Sequence, residues 1–117
     1  MELTIEIIRA CKMTALSCRK CVSHLSQDDP VQIAEQKSFQ QCEDLCFAFM
    51  QAASSKSQYL QEMIFLCIGL CEECAALAEE KMDDDFMHAA FHCRNFSNLL
   101  INLIPSGNSQ VSVQSSK

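Results

Sequence analysis

Glycine and proline are nearly missing from this chain, whose 117 residues hold two of each. That scarcity excludes a turn-rich β-sandwich, a glycine-rich phosphate loop and a dinucleotide-binding fingerprint, all of which need glycine at fixed places. Positive charge is short as well. Nine Lys and Arg stand against fifteen Asp and Glu, a formal net charge of −6, so there is no basic footprint for a phosphate backbone and nucleic acid is not an expected partner. No apolar run reaches the roughly 18 residues that span a bilayer. The start, Met1-Glu2-Leu3-Thr4-Ile5-Glu6, has neither a basic segment nor a cleavable apolar one. The expectation is a cytoplasmic protein without a membrane partner.

Hydrophobic residues make up 49% of the chain and charged ones 21%, enough for one core and too little chain for two. A single domain is expected over 1–104, followed by a Ser/Gln/Val-rich tail, 105–117, without periodicity and expected to be disordered.

The periodicity is helical throughout. Ile7, Ile8, Cys11, Ala15, Cys18, Cys21, Val22 and Leu25 recur at steps of three and four, which predicts a first helix over 2–25. Asp29 is placed to cap a second helix with Pro30 in its first position and Gln32 reaching back as in a capping box. That helix runs to about residue 53, where Ser54-Ser55-Lys56-Ser57 breaks the pattern. Leu60, Met63, Ile64, Cys67, Cys71, Cys74 and Leu77 mark a third helix to about residue 81. Asp83-Asp84-Asp85 restarts the chain, since carboxylates favour a helix N-terminus, and the fourth helix is predicted over 85–104, stopping at Pro105. Helices of this length with short connections form an all-α, antiparallel up-down-up-down four-helix bundle.

Nine cysteines approach the density of a disulfide scaffold, but the number is odd, the expected compartment is reducing and a core can form without staples. Within each helix they share the stripe that faces inward: Cys11, Cys18 and Cys21, then Cys42 and Cys46, then Cys67, Cys71 and Cys74, with Cys93 on the fourth. At about 1.5 Å per residue they also fall into layers. Counted from the end that holds Ile5, Ala53, Leu60 and Ile104, Cys11, Cys46 and Cys67 lie at roughly 12 to 14 Å and Cys42, Cys71 and Cys93 at roughly 17 to 20 Å. Cys18 and Cys74 follow at roughly 22 to 24 Å, and Cys21 near 27 Å. The result is a Cys-lined core: one column of sulfur over an apolar floor of Ile5, Ile8, Phe49, Met63, Ile64, Phe96, Leu100 and Leu103. His88 and His92, four residues apart, and His24 lie near the top, with Met13 and Met87 as candidate thioether neighbours.

Thiolates in a dry channel select a soft, weakly hydrated ion, and Cu(I) fits because it accepts two or three sulfurs without demanding a tetrahedron. One structural zinc would leave most of these thiols unused. Iron–sulfur clusters want thiols converging from loops. The candidate ligands are therefore all nine cysteines together with His88 and His92.

The chain here resembles the bacterial copper storage proteins, four-helix bundles lined with cysteine. Cys67-Ile68-Gly69-Leu70-Cys71-Glu72-Glu73-Cys74 is similar to that family's repeated Cys-x-x-x-Cys-x-x-Cys motif, and Met87-His88-Ala89-Ala90-Phe91-His92-Cys93-Arg94 to the start of its last helix. The resemblance covers roughly 10–104. It implies Cu(I) on core thiolates, a mouth of His and Met where metal enters, and homo-oligomers, often tetramers. The chain departs from the pattern at Ala78, Phe96, Leu100 and Leu103, where the family's thiols would continue. A low-capacity store or buffer follows.

Two other readings compete. A thiol redox protein would use Cys18-x-x-Cys21, flanking Arg19 and Lys20, or Cys71-x-x-Cys74, beside Glu72 and Glu73, which would hinder it. A helical interaction module would use cysteine only as a small buried hydrophobe. The acidic runs have no supporting partner for acid–base work, so no enzyme is expected.

Overall fold

Thr4, Asp29 and Asp83 each turn a side-chain oxygen onto a backbone N–H two or three residues further on, accepting from Ile7 at 3.1 Å, Val31 at 3.0 Å and Asp85 at 2.9 Å. These caps satisfy donors that a helix start leaves orphaned, and they set where three of the four helices begin. The computed structural model describes residues 3–104, within which lie α1 (Ile5–Ser23), α2 (Pro30–Ser54), α3 (Leu60–Glu79) and α4 (Asp84–Ile101). Pro30 opens α2 as expected. The tail predicted over 105–117 lies outside the described residues.

Local details differ from the sequence reading. Gln32 does not close a capping box on Asp29; its side-chain oxygen accepts from the backbone N–H of Ser26 at 2.7 Å and pins the loop between α1 and α2 instead. Gln36 adds to that pin by donating to the Leu25 and Ser26 carbonyls. The helix predicted from residue 2 starts at Ile5, because Thr4 caps it. Ile5 and Ile8 do not join the floor: they are 75% and 36% exposed, whereas Ile7 is 4% exposed. The inward stripe of α1 steps from Cys11 back by four residues to Ile7, which leaves Ile8 on the flank. Met63 and Leu103 are only half-buried.

Each helix packs on two neighbours, α1 on α2 and α4, α3 on α2 and α4, in a square. Cross-helix contacts show the antiparallel sense. Arg19, late in α1, meets Glu43 in the middle of α2 (2.6 Å), and Glu35, early in α2, meets Lys81 just past the end of α3 (2.7 Å). Arg94 of α4 reaches back to Glu72 and Glu79 of α3. His24, just past α1, meets Asp85 at the start of α4 at 2.6 Å. Thus each of the four seams carries at least one polar tie. The core between them is divided: Phe49, Ile64, Phe96 and Leu100 are fully buried at one end, and nine cysteines line the remainder together with alanines, Thr14 and the rings of Phe39 and Phe86.

Candidate metal centre

All nine cysteines are free thiols with at most 1% of their surface exposed. They are inside for the reason their spacing gives, since steps of three, four and seven residues keep side chains on one helical face. Five of them converge most closely. The sulfurs of Cys18, Cys42 and Cys74 lie within 4.8 Å of one another, as do those of Cys42, Cys71 and Cys93. The two triangles share Cys42 and draw on all four helices. Between them, Cys42 and Cys71 are 3.9 Å apart, and Cys18 and Cys93 are 4.0 Å apart.

Side-chain direction explains why two expected layers have merged here. A Cα–Cβ bond leans toward its helix's N-terminus, so Cys18 and Cys74, on the ascending α1 and α3, lean down, while Cys42 and Cys93, on the descending α2 and α4, lean up. The upper sulfurs descend and those of Cys42 and Cys93 rise to meet them, while Cys71 meets Cys42 within its own layer at 3.9 Å. In the layer of Cys11, Cys46 and Cys67, Cys11 and Cys46 stay within reach of each other, a bond from Cys11 being the first cause that raises the Cys46 thiol. Cys46 leans up toward Cys42, Cys11 donates to the Cys46 carbonyl at 3.3 Å, and Cys67 belongs to neither triangle. Cys21 sits alone near the top, its thiol 3.9 Å from the Asp85 carbonyl.

Rings bound the column. Phe39, one turn before Cys42, stacks edge-on with Phe86 at 6.0 Å, and His24 lies over Phe86 at 6.2 Å. At the other end Phe49 and Phe96 stack edge-on at 5.7 Å. The upper pair was not anticipated from the sequence, although Phe39, Cys42, Cys46 and Phe49 continue one stripe of threes and fours. Thr14, also unanticipated, is fully buried between Cys11 and Cys18, with its hydroxyl 2.8 Å from the Ala10 carbonyl and 3.0 Å from that of His92. It ties α1 to α4 beside the sulfurs.

The structure does not bring the histidines or methionines into the triangles. His88 is exposed and His92 half-buried, its ring 5.2 Å from Phe91. Burial, and then the nearby His88, hold the His92 imidazole below its ordinary value. Met13 and Met87 are 40% and 55% exposed. At the rim Asp85 meets His24 through one carboxylate oxygen at 2.6 Å and faces the Lys20 ammonium at 3.9 Å through the other.

Proton affinities within the cluster split. Thiols of Cys18, Cys46, Cys71 and Cys74 donate toward Cys42, Cys18 foremost, and hold it well below the ordinary thiol range despite its burial. Cys18, Cys46 and Cys71 are pushed up, each first by a bond to another sulfur and then by burial. Cys67 is pushed up chiefly by burial. Cys21 rises from 9.0 to about 12, through burial, then Cys93, Asp85 and Asp83. Four or more neutral thiols around one readily ionised sulfur make a site that takes a cation by releasing protons.

The sign of the pH dependence follows. A thiol whose value is raised by folding stabilises the fold below its unfolded value and withdraws that stability as pH climbs toward the folded one. The metal-free protein should therefore lose thermal stability between about pH 9 and pH 12, the window set by Cys21, while metal affinity strengthens over the same rise. Melting curves across that range, with and without metal, check both; a flat metal-free profile would contradict the assigned burial.

Fold and site together define a class: four-helix bundles cored at one half with free thiols and at the other with hydrocarbon. Within that class, residues 1–100 match the family described as copper storage protein, and the chain belongs to that family. No curated protein and no solved structure matches it. Among the described residues no helix is long and apolar enough to cross a membrane.

Proposed function

We propose that this protein holds Cu(I) on the reduced thiolates of its core, as a low-capacity cytoplasmic store or buffer rather than as an enzyme. The observation that carries the reading is the grouping of buried sulfurs in threes. At a metal–sulfur length of about 2.3 Å, the zinc–thiolate value taken as scale, three sulfurs in a plane around one ion stand about 4.0 Å apart. Both triangles need shifts of only tenths of an ångström to reach that geometry from separations under 4.8 Å. Four mutually close ligands, as tetrahedral zinc requires, do not occur among the described residues. The departures at Ala78, Phe96, Leu100 and Leu103 support a small capacity, and the free state of all nine thiols supports a reducing compartment.

Ligands in this reading are Cys18, Cys42, Cys71, Cys74 and Cys93 for the cluster, with Cys11, Cys46 and Cys67 extending it downward. Cys21, His88 and His92 stand nearer the surface end, on the route of transfer. Outward-facing Phe65 and Leu66 on α3 and Phe91 on α4 support association into homo-oligomers such as tetramers. The Cys18-x-x-Cys21 redox reading gains no support, because Cys18 faces Cys93 and Cys21 faces Asp85.

Anaerobic titration of the reduced protein with Cu(I) against a competing chelator tests the proposal. At least two tightly held ions per chain are expected, one for each triangle. Failure to take copper from the chelator sinks the reading.

A further inference from the structure

Two close sulfur pairs of the cluster cross different seams of the bundle. Cys42 and Cys71 face each other at 3.9 Å across α2 and α3, and Cys18 and Cys93 at 4.0 Å across α1 and α4. Membership of the triangles gives these pairs a shared property. Cys42 is a vertex of both, while Cys18 belongs to one and Cys93 to the other. Joining either pair therefore subtracts a ligand from both triangles at once. A bond between two sulfurs of one triangle that avoided Cys42, such as Cys18 with Cys74, would spoil only one.

We propose that the cluster gives up its copper on oxidation, a hydroperoxide joining Cys42 to Cys71 or Cys18 to Cys93 as a disulfide. The inference rests on the copper-holding reading above. One copper-bound thiolate attacks a peroxide oxygen; the S–O bond forms, the O–O bond breaks, and the departing hydroxide leaves as water with a proton taken from solvent. The partner thiolate then displaces the second oxygen, which leaves as water with a second solvent proton as the S–S bond closes, and the Cu(I) ions that lose these donors depart unchanged in oxidation state. Two thiolates are oxidised, one peroxide is reduced, two protons are taken up and two waters result. Closing from 3.9 Å to a disulfide bond of about 2.05 Å asks each sulfur to move about 1 Å. Hydrogen peroxide is small and uncharged, so it enters an apolar interior at less cost than a hydrated ion does.

Geometry keeps two sulfurs out of the event. Cys21 lies against the Asp85 carbonyl and Cys67 belongs to neither triangle, so neither competes. A dithiol reductant reopens the bond and restores the ligands, which makes loss of copper reversible and couples the occupancy of two sites to one two-electron step.

The test loads the full chain anaerobically with Cu(I), removes unbound ion, adds one equivalent of hydrogen peroxide and separates protein from small molecules. Copper per chain and peptide mass mapping are then read together. Expected is loss of both cluster ions with Cys42–Cys71 or Cys18–Cys93 as the main linkage, and full reloading after dithiothreitol. Copper lost with every thiol intact, copper kept after either linkage forms, or linkages mainly elsewhere would each overturn the inference while leaving the copper-holding reading in place. A chain that takes up no copper before peroxide is added overturns both.

Discussion

Cys42→Ala is expected to weaken copper binding at both triangles at once, each falling from three sulfurs to two, so that the chelator strips up to two ions per chain, whereas Cys21→Ala leaves the cluster's copper unchanged. Cys42 is the single sulfur common to the two groups, and its removal leaves Cys18 with Cys74 on one side and Cys71 with Cys93 on the other. Cys21 belongs to neither group and contacts the Asp85 carbonyl. Deleting one buried sulfur forfeits about 1 kcal/mol of burial, too little to unfold a domain of ordinary stability. Chelator competition on the two variants reads the difference directly, with melting curves to show that both are folded. Equal copper in the two would dismantle the shared-vertex geometry.

Phe96→Ala produces the opposite pattern: a large loss of stability with copper retained. The ring is fully buried and stacks edge-on with Phe49 at 5.7 Å, and truncation of such a residue costs about 3–5 kcal/mol in lost transfer energy and cavity. For a domain of this size that lowers Tm by roughly 10 °C or more. The hydrocarbon half makes this fold stable and the sulfur half makes it useful, so the variant should keep its stoichiometry at temperatures below its melting point. A small shift in Tm, or a loss of ions from the folded variant, would mean that the halves are not separable.

The inward direction of the thiols was legible because helical periodicity is a property of spacing alone: Cys11, Cys18, Cys42, Cys46, Cys67, Cys71, Cys74 and Cys93 needed only steps of three and four. The caps at Asp29 and Asp83 were legible for a similar reason, being local. Heights were half-legible. Rise per residue places a Cα but not the sulfur it carries, and the lean of the side chain moved Cys18 and Cys74 into the company of Cys42 and Cys93. Gln32 was misread because two backbone N–H groups compete for its amide, and the choice of Ser26 depends on a loop that spacing does not describe. Ile8 lost its place in the floor because the cap at Thr4 and the stripe from Cys11 select Ile7 instead. The rim was least legible: what Asp85 does with His24 and Lys20 depends on two chain ends that meet only in the folded bundle.

Because neighbouring helices run in opposite senses, side chains on α1 and α3 drop and those on α2 and α4 rise by the same amount all along the axis. The partners of a sulfur are therefore offset in height from its own Cα, as two combs pushed past each other still mesh but one tooth along. Moving a cysteine by one turn changes which sulfurs it meets. Enlarging the capacity of this interior would call for residues placed in that offset register, not for more sulfur everywhere.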